Sequence, residues 1–251
     1  MAGTVYLVGA GPGAADLLTL RAVRLLRSAD IVFHDALVAE DVLEFAVQAE
    51  RVAVGKRCGA HSAKQDDINR RLVDAARRHE TVIRLKGGDP LLFGRAQEEI
   101  EVLLAAGVRV EVVPGVSAAF GASAELLQSL TARGVSRSVV FLTPRTGAGH
   151  AVTDWTRAAG AADTVVMYMA GRDSPEVVAA LTLAGVPAMQ PCVLVESATW
   201  PQQKVVPTRL KDLPKACLRL GDGPALLMMG EVYEARVTEA ERAELSMPCL
   251  A

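Results

Sequence analysis

A glycine-rich segment near the N-terminus is the first pattern in the chain that could do chemistry. Residues 9–14 read GAGPGA and satisfy GxGxx(G/A), and Asp35 follows about 20 residues further on. In dinucleotide-binding proteins such a loop holds a pyrophosphate and the acid holds a ribose, which favours an NAD(P)-dependent oxidoreductase. Pro12 argues against that interpretation, because proline has no N–H group to offer a phosphate. A tight turn without a ligand is the alternative, and the loop alone leaves both open.

The composition excludes several other kinds of chemistry. Four cysteines form no CxxC pair, so neither a zinc site nor a disulfide framework is indicated and no metal is expected. A net charge of −2 argues against a general nucleic-acid-binding protein, which needs a basic excess. No apolar run reaches the roughly 18 residues of a membrane span, and no signal-peptide pattern opens the chain. We therefore expect a cytoplasmic enzyme that binds neither nucleic acid nor membrane.

The elements that must position these residues read as alternating strands and helices. Apolar runs predict strands over residues 4–9, 30–34, 51–54, 81–86 and 109–113, and again over 138–142, 164–169, 192–196, 204–206 and 225–229. Helices are expected over residues 16–28, 65–78, 94–106, 116–127 and 174–185, with Asp16 near the start of the first. This alternation predicts an α/β fold with mainly parallel strands. Helical spacers are fewer in the second half, where we expect antiparallel pairing.

The length of the chain permits two domains. It has 251 residues, and the first α/β unit closes at Pro114-Gly115. We therefore predict an N-terminal α/β domain over residues 1–113 and a C-terminal α/β domain over residues 114–251, with a linker region at 114–137.

Further motifs identify a family by their order and spacing. VGKR at 54–57 is followed by HS at 61–62 and QDDIN at 65–69, RLKGGDP at 84–90 runs into FGR at 93–95, and VVPGVSA occupies 112–118. Together with VGAGPG at 8–13, ESAT at 196–199 and PAL at 224–226, they resemble the tetrapyrrole methylase family and, within it, the uroporphyrinogen-III C-methyltransferases. The resemblance spans nearly the whole chain. It implies two α/β domains of the tetrapyrrole methylase type, with the cofactor S-adenosyl-L-methionine in the cleft between them.

The resemblance also implies which residues bind the cofactor. Glycine lets a ligand approach the backbone closely, and an apolar pocket suits a flat adenine. In the first half the implied residues are Pro12, Gly87, Gly88, Asp89, Leu92, Ser117 and Ala118. In the second half Met169, Ala198 and Ala225 would enclose the adenosine.

The implied reaction is the successive addition of two methyl groups to uroporphyrinogen III, at positions 2 and 7, giving precorrin-2. A sulfonium donor is already activated, so the enzyme must mainly align the methyl group and accept the proton that the ring loses. By resemblance Asp35 is the proton acceptor and Lys56 the proton donor. The alternatives for these two residues are a solvated carboxylate and a ligand for a substrate carboxylate.

The eight carboxylates of this substrate match a basic region of the chain. Residues 51–95 contain eleven lysines and arginines against five acids, although much of this charge belongs to the solvated face of the helix at 65–78. Guanidinium pairs well with carboxylate through two parallel hydrogen bonds. The predicted substrate-binding residues are Arg57, Lys86, Arg95, His61 and Arg133. A homodimer is expected from the family resemblance alone.

Three competing hypotheses remain. The first is a methylase of the same family that acts on a later corrin intermediate, and the second is the NAD(P)-dependent oxidoreductase. The third is a catalytically silent binding protein, because Ala14-Ala15 stands where the family usually has Asp-Pro.

Overall fold

The computed structural model describes residues 2–55, 65–144, 154–170 and 174–246. Of residues 245 and 246 it describes only the backbone. It divides into two compact units, Met1–Gly121 and Ala122–Ala251. The division falls within residues 114–137, the predicted linker region. Each unit contains one five-stranded sheet. Within the described ranges, no helix combines the length and apolar character needed to cross a membrane.

The first unit is a parallel sheet with helices on both faces. Its strands are β1 Thr4–Gly9, β2 Ile31–His34, β3 Glu50–Ala53, β4 Thr81–Lys86 and β5 Arg109–Val113. Its helices are α1 Leu20–Arg27, α2 Glu40–Leu43, α3 Gln65–Ala76, α4 Ala96–Ala105 and α5 Ala118–Glu125, the last of which continues into the second unit. The strand order is β3-β2-β4-β1-β5 and every pair is parallel. This confirms the parallel α/β arrangement predicted from the alternation of patterns.

The start of α1 differs from the prediction. Asp16 lies in a separate 3-10 turn, Ala15–Leu17, and the helix begins four residues after it. Thr19 is the N-cap, because its hydroxyl oxygen accepts a hydrogen bond of 3.1 Å from the N–H of Ala22. The helix therefore begins where a side chain satisfies its first unpaired N–H group, and the predicted start at Asp16 is wrong.

The second unit has a mixed sheet. Its strands are β6 Val139–Leu142, β7 Thr164–Tyr168, β8 Pro191–Glu196, β9 Lys204–Arg209 and β10 Ala225–Gly230, in the order β6-β7-β10-β8-β9. Its helices are α6 Trp155–Ala161, α7 Ser174–Leu183, α8 Leu213–Cys217 and α9 Glu234–Ser246. β6 and β7 are parallel, whereas β10 is antiparallel to both of its neighbours and β9 is antiparallel to β8. The antiparallel pairing predicted for this half is confirmed.

Candidate functional site

The carboxyl ends of the parallel strands form one edge of the first unit. We call the loops at residues 10–15, 35–39, 87–95 and 114–117, which follow β1, β2, β4 and β5, the first edge. β1 and β4 are neighbours, yet the helices that follow them pack on opposite faces, since Leu26 of α1 and Leu103 of α4 belong to different core clusters. Adjacent strands whose connections diverge in this way create the crevice where α/β sheets bind ligands. The first edge is therefore a candidate binding site.

Glycines allow three of these loops to pack backbone against backbone. Gly11 and Gly88 exchange hydrogen bonds, with the N–H of Gly11 donating at 3.2 Å and the N–H of Gly88 donating at 2.7 Å. A Cβ atom on Gly115 would overlap the carbonyl oxygen of Gly88 and lie 2.8 Å from the Cα of Gly9. Only glycine permits so close an approach. The glycines of the three motifs thus have a structural role at the first edge.

These contacts remove the main support for a dinucleotide site. The N–H of Ala10 donates to the carbonyl of Lys86 at 2.8 Å, and that of Gly11 is taken by Gly88. The loop therefore directs these N–H groups at the β4 segment, where they cannot hold a pyrophosphate. In addition α1 begins only at Leu20, so the loop does not open directly into a helix N-terminus.

Asp89 joins two loops of the first edge. Its Oδ1 accepts the N–H of Leu91 at 2.9 Å, and its Oδ2 accepts the N–H of Gly115 at 3.0 Å. Predicted as a cofactor ligand, this side chain holds the β4 and β5 loops together. Leu92 lies in the same turn, because its N–H donates to the carbonyl of Asp89 at 3.3 Å.

The structure brings the other predicted cofactor residues of the first unit to the same edge. Ser117 is buried, and its carbonyl accepts the N–H groups of Phe120 and Gly121 in the first turn of α5, which begins at Ala118. Pro12 and Gly87 are half-buried in the β1 and β4 loops. Six of the seven residues assigned to the first half therefore lie on the loops of one edge, and the seventh, Ala118, directly follows one of these loops at the start of α5.

Asp35 directly follows β2 and is paired with a buried arginine. Nη2 of Arg84 donates to Oδ1 of Asp35 at 2.5 Å, and Nε of Arg84 donates to Oε1 of Glu99 at 2.9 Å. The Asp35 side chain is 29% exposed, whereas that of Arg84 is only 3% exposed. Burial lowers the pKa of Arg84, but the carboxylates of Asp35 and Glu99 outweigh it and the pKa is raised overall. The predicted proton acceptor is thus accessible and held by a permanently charged partner.

Lys86 is placed differently from the sequence expectation. Its side chain is 5% exposed, and Nζ donates to both oxygens of Glu99, at 3.2 and 3.1 Å. Burial and the nearby Arg84 lower the pKa of Lys86, and Glu99 opposes them only partly. Lys86 therefore neutralises a carboxylate inside the unit. It does not present a cation at the surface, as a ligand for substrate carboxylates would.

The remaining predicted substrate residues divide into three groups. Arg95 lies at the first edge and is exposed, and its guanidinium makes a bidentate pair with Glu98 at 2.8 and 2.7 Å. Arg133 is exposed in the second unit, in a turn whose Ser136 bonds the hydroxyl of Thr164 at the start of β7. The structure therefore does not bring Arg133 to the end of β7, where Met169 lies. Arg57 and His61 lie outside the described residues, as does Lys56, the predicted proton donor.

The three predicted cofactor residues of the second unit lie at one edge of its sheet. We call residues 168–170, 196–203 and 221–225, at the ends of β7 and β8 and the start of β10, the second edge. β10 runs antiparallel to both strands, which places Ala225 opposite Glu196 and Leu226 opposite Tyr168. Met169 is 46% exposed there, whereas Ala198 is buried.

Both edges contain unusual backbone conformations. Met169, Ser197 and Thr199 of the second edge have φ values of 59°, 51° and 67°, and Phe93 and Arg95 of the first have 54° and 56°. A non-glycine residue in the left-handed region costs about 1–3 kcal/mol, and such residues cluster at ligand sites. In the described parts of the chain, only Leu127 among residues of this kind lies elsewhere. No sequence signal indicates these conformations.

A buried carboxylate organises the second edge. Oε2 and Oε1 of Glu196 accept the N–H groups of Gly221 at 2.9 Å and Gly223 at 2.8 Å, and Nζ of Lys204 lies 3.6 Å away. The N–H of Ser197 donates to the carbonyl of Pro224 at 2.8 Å. Glu196 thus fixes the loop before β10 and with it the position of Ala225. The sequence motif contained this residue, but its role was not predicted.

Comparison with known proteins places this architecture in a family. The family described as "Tetrapyrrole (Corrin/Porphyrin) Methylases" matches residues 4–214. A siroheme synthase of Pseudomonas putida is 45% identical over 93% of this chain, and the chain spans about half, 51%, of that protein's length. The chloroplastic S-adenosyl-L-methionine-dependent uroporphyrinogen III methyltransferase of Arabidopsis thaliana is 44% identical over 92% of this chain and 64% of its own length.

A solved structure extends the similarity to the whole fold. The uroporphyrin-III C-methyl transferase of Thermus thermophilus, complexed with S-adenyl homocysteine, is 38% identical, with a TM-score of 0.82 over 93% of this chain and 100% of the other. The chain therefore belongs to the tetrapyrrole methylase family.

Proposed function

We propose that the chain is an S-adenosyl-L-methionine-dependent C-methyltransferase that methylates uroporphyrinogen III twice, at positions 2 and 7, to give precorrin-2. The observation that carries the proposal is the similarity, over 93% of this chain and all of the other, to a uroporphyrin-III C-methyl transferase complexed with S-adenyl homocysteine. The siroheme synthases match over only about half their length. The proposal therefore assigns no further reaction of those proteins to this chain.

The residue types at the two edges suit such a cofactor. Gly87, Gly88 and Ala118 have no side chain beyond a Cβ atom at the first edge, and Ala198 and Ala225 are equally small at the second. The exposed thioether of Met169 can pack against a flat adenine. When bound, S-adenosyl-L-methionine supplies an activated methyl group, so no nucleophilic side chain is required. The cleft between the domains as its binding place stays a prediction.

The chain's own residues would handle the proton and the substrate. Asp35 is accessible and ionically paired, which suits a carboxylate that accepts the proton lost from the pyrrole carbon. Arg95 forms an ion pair with Glu98 at the protein surface, where such a pair contributes at most about 1 kcal/mol to stability. A substrate carboxylate can therefore replace Glu98 as the partner of Arg95. The proton-donor role of Lys56, and the substrate contacts of Arg57 and His61, remain predictions.

Product mass tests the proposal directly. The protein is incubated anaerobically with S-adenosyl-L-methionine and enzymatically generated uroporphyrinogen III, and the products are analysed by mass spectrometry. We expect a gain of two methyl groups. No gain when the cofactor binds but uroporphyrinogen III does not would overturn the substrate assignment and favour a later corrin intermediate. Binding of both ligands without transfer would indicate a silent binding protein, and binding of NAD(P)H alone would indicate an oxidoreductase.

We further propose that the protein is a cytoplasmic homodimer. The oligomeric part rests on the family resemblance. Sedimentation equilibrium of the purified protein tests it, and a mass of one chain at micromolar concentration would contradict it.

A further inference from the structure

Glu99 lies at the centre of a buried ionic network in the first unit. It is fully buried in α4, and its carboxylate accepts hydrogen bonds from Nε of Arg84, Nζ of Lys86 and Nε2 of Gln65, at 2.9 to 3.2 Å. Through Arg84 the network continues to Asp35. It contains two cations and two anions, so its charges balance. The sequence motifs indicate no role for Arg84 or Glu99.

The position of the network indicates more than stabilisation. Val82, Arg84 and Lys86 alternate along β4 and so project from one face of the sheet. Val82 belongs to the apolar core there, whereas the two cations lie nearer the first edge. Apolar residues of similar size usually stabilise a core as well as a buried ion pair does. Stability alone therefore does not explain why charged residues occur where β4 approaches Asp35. A role at the first edge does explain their presence.

We propose that Arg84, anchored by Glu99, is a positioning residue that fixes the carboxylate of Asp35 for proton transfer. The inference rests on the proposed function, in which Asp35 accepts the ring proton. Nε of Arg84 is held by Glu99 and Nη1 by the carbonyl of Leu85 at 3.2 Å, which fixes the plane of the guanidinium. Nη2 then holds Oδ1 of Asp35 in one place. A proton acceptor works only within hydrogen-bond reach of its proton, so this orientation matters for turnover.

A double-mutant cycle separates this role from a general structural one. Arg84→Met should lower kcat by about 100-fold, as expected for a misplaced catalytic group, with the dissociation constant for S-adenosyl-L-methionine unchanged. In an Asp35→Asn background the same substitution should cause no further loss, because the group that Arg84 positions is already inactive. Losses that multiply in the double variant would overturn the proposal.

A charge-balanced variant separates turnover from stability. Arg84→Met and Glu99→Gln each leave one uncompensated charge in the network and should lower the melting temperature. The combined variant removes one charge of each sign, so its melting temperature should lie above those of both single variants. Turnover should nevertheless stay low, because Asp35 has lost its partner. Recovery of turnover together with stability would overturn the positioning role.

Crystal structures provide a readout that does not depend on activity. In Arg84→Met the Asp35 side chain should leave the place that it occupies in the wild type, while the backbone of β2 and β4 is unchanged. An unmoved Asp35 side chain would overturn the inference. If the wild type fails to methylate uroporphyrinogen III, the proposed function fails, and this comparison still decides whether Arg84 positions Asp35.

Discussion

The two edges of this protein are fixed by different kinds of interaction. At the first edge, Asp35 is held by a second side chain, Arg84, which is itself held by a third, Glu99. At the second edge, a single buried carboxylate, Glu196, accepts two backbone N–H groups. Side-chain partners fix a side chain, whereas a carboxylate bound to N–H groups fixes the path of the backbone.

This difference indicates a division of tasks. A positioned carboxylate suits proton transfer, and a fixed backbone with small and apolar residues suits the binding of a flat ligand. Substitutions that touch only the charged side chains of the first edge should therefore alter turnover. Substitutions at the second edge should alter cofactor affinity.

The largest effect is expected from Asp35→Ala. Turnover should fall about 10²–10⁴-fold, because the positioned proton acceptor is lost, while affinity for S-adenosyl-L-methionine barely changes. Product formation measured by mass spectrometry gives the rate, and calorimetric titration gives the affinity. Asp41→Ala, which removes an exposed carboxylate in α2, is the control and should keep wild-type turnover. Wild-type turnover in Asp35→Ala would remove this residue from the mechanism.

Gly115→Ala should break the first edge as a structure. The Cβ atom of the new alanine would overlap the carbonyl oxygen of Gly88 and crowd the Cα atom of Gly9. Both of these atoms belong to the backbone and cannot move aside. We expect a loss of about 3 kcal/mol in the free energy of unfolding, measured by urea denaturation. Gly160→Ala in α6 is the control. Outside its own helix, the added Cβ atom would meet nothing nearer than the carbonyl oxygen of Ala184, at 4.0 Å. Helix propensity also favours alanine there, by about 0.5–1 kcal/mol. Equal effects at both glycines would contradict the close packing.

Glu196→Gln should act on the second edge. An amide offers one oxygen where the carboxylate serves Gly221 and Gly223, so one N–H group loses its charged partner. The expected cost is about 2 kcal/mol of unfolding free energy, with weaker cofactor binding and nearly normal turnover at saturating cofactor. Glu239→Gln, at an exposed position of α9, should change neither quantity. A turnover defect at saturating cofactor would show that the two edges do not divide the tasks.

Met169→Ala should have a smaller effect on the same edge. Loss of its exposed thioether should weaken cofactor binding about tenfold, or about 1.4 kcal/mol, and leave the melting temperature nearly unchanged. Met189→Ala is a matched control, because Met189 is 51% exposed against 46% for Met169 and lies between α7 and β8. Unchanged affinity in Met169→Ala would contradict its place in the cofactor site.

Much of the fold could be predicted because buried parallel strands are continuous apolar runs. The predicted bounds of β1, β4 and β5 agree with the structure residue for residue. Helices α2, α6, α8 and α9 were missed. The first three have only four, seven and five residues, too few to show a helical period, and α9 has weak apolar periodicity. In α9, for example, Val237 is buried among a series of charged and small residues.

From the sequence, the candidate site could be predicted only at residues that belong to the patterns typical of the family or of ligand-binding loops. The glycines and Asp35 belong to such patterns. Arg84 also lies in one of them, RLKGGDP, but its partner Glu99 lies in none, and the motif does not indicate their pairing. Arg84 and Glu99 meet although they lie 15 residues apart on different elements, and a charged residue in a sequence gives no sign that it is buried. Lys86 was for this reason assigned to the substrate. The left-handed conformation of Met169 was equally invisible, because methionine has no preference for it.

The smallest effect is expected at an ion cluster that belongs to neither edge. Arg209 binds Glu234 and Glu241 at 2.6–2.9 Å and lowers the pKa of both carboxyls, with help from Thr238 at Glu234. Because their pKa values are lower in the folded state, the carboxylates contribute stability above the unfolded value of about 4.3 and lose it as the pH falls through the folded values. Both carboxylates are 44% exposed, so solvent limits the contribution to about 1 kcal/mol.

The stability difference between wild type and Arg209→Met should therefore shrink between about pH 6 and about pH 3. A constant difference would contradict the ionic origin, and altered turnover at neutral pH would show that the two edges are not the whole site.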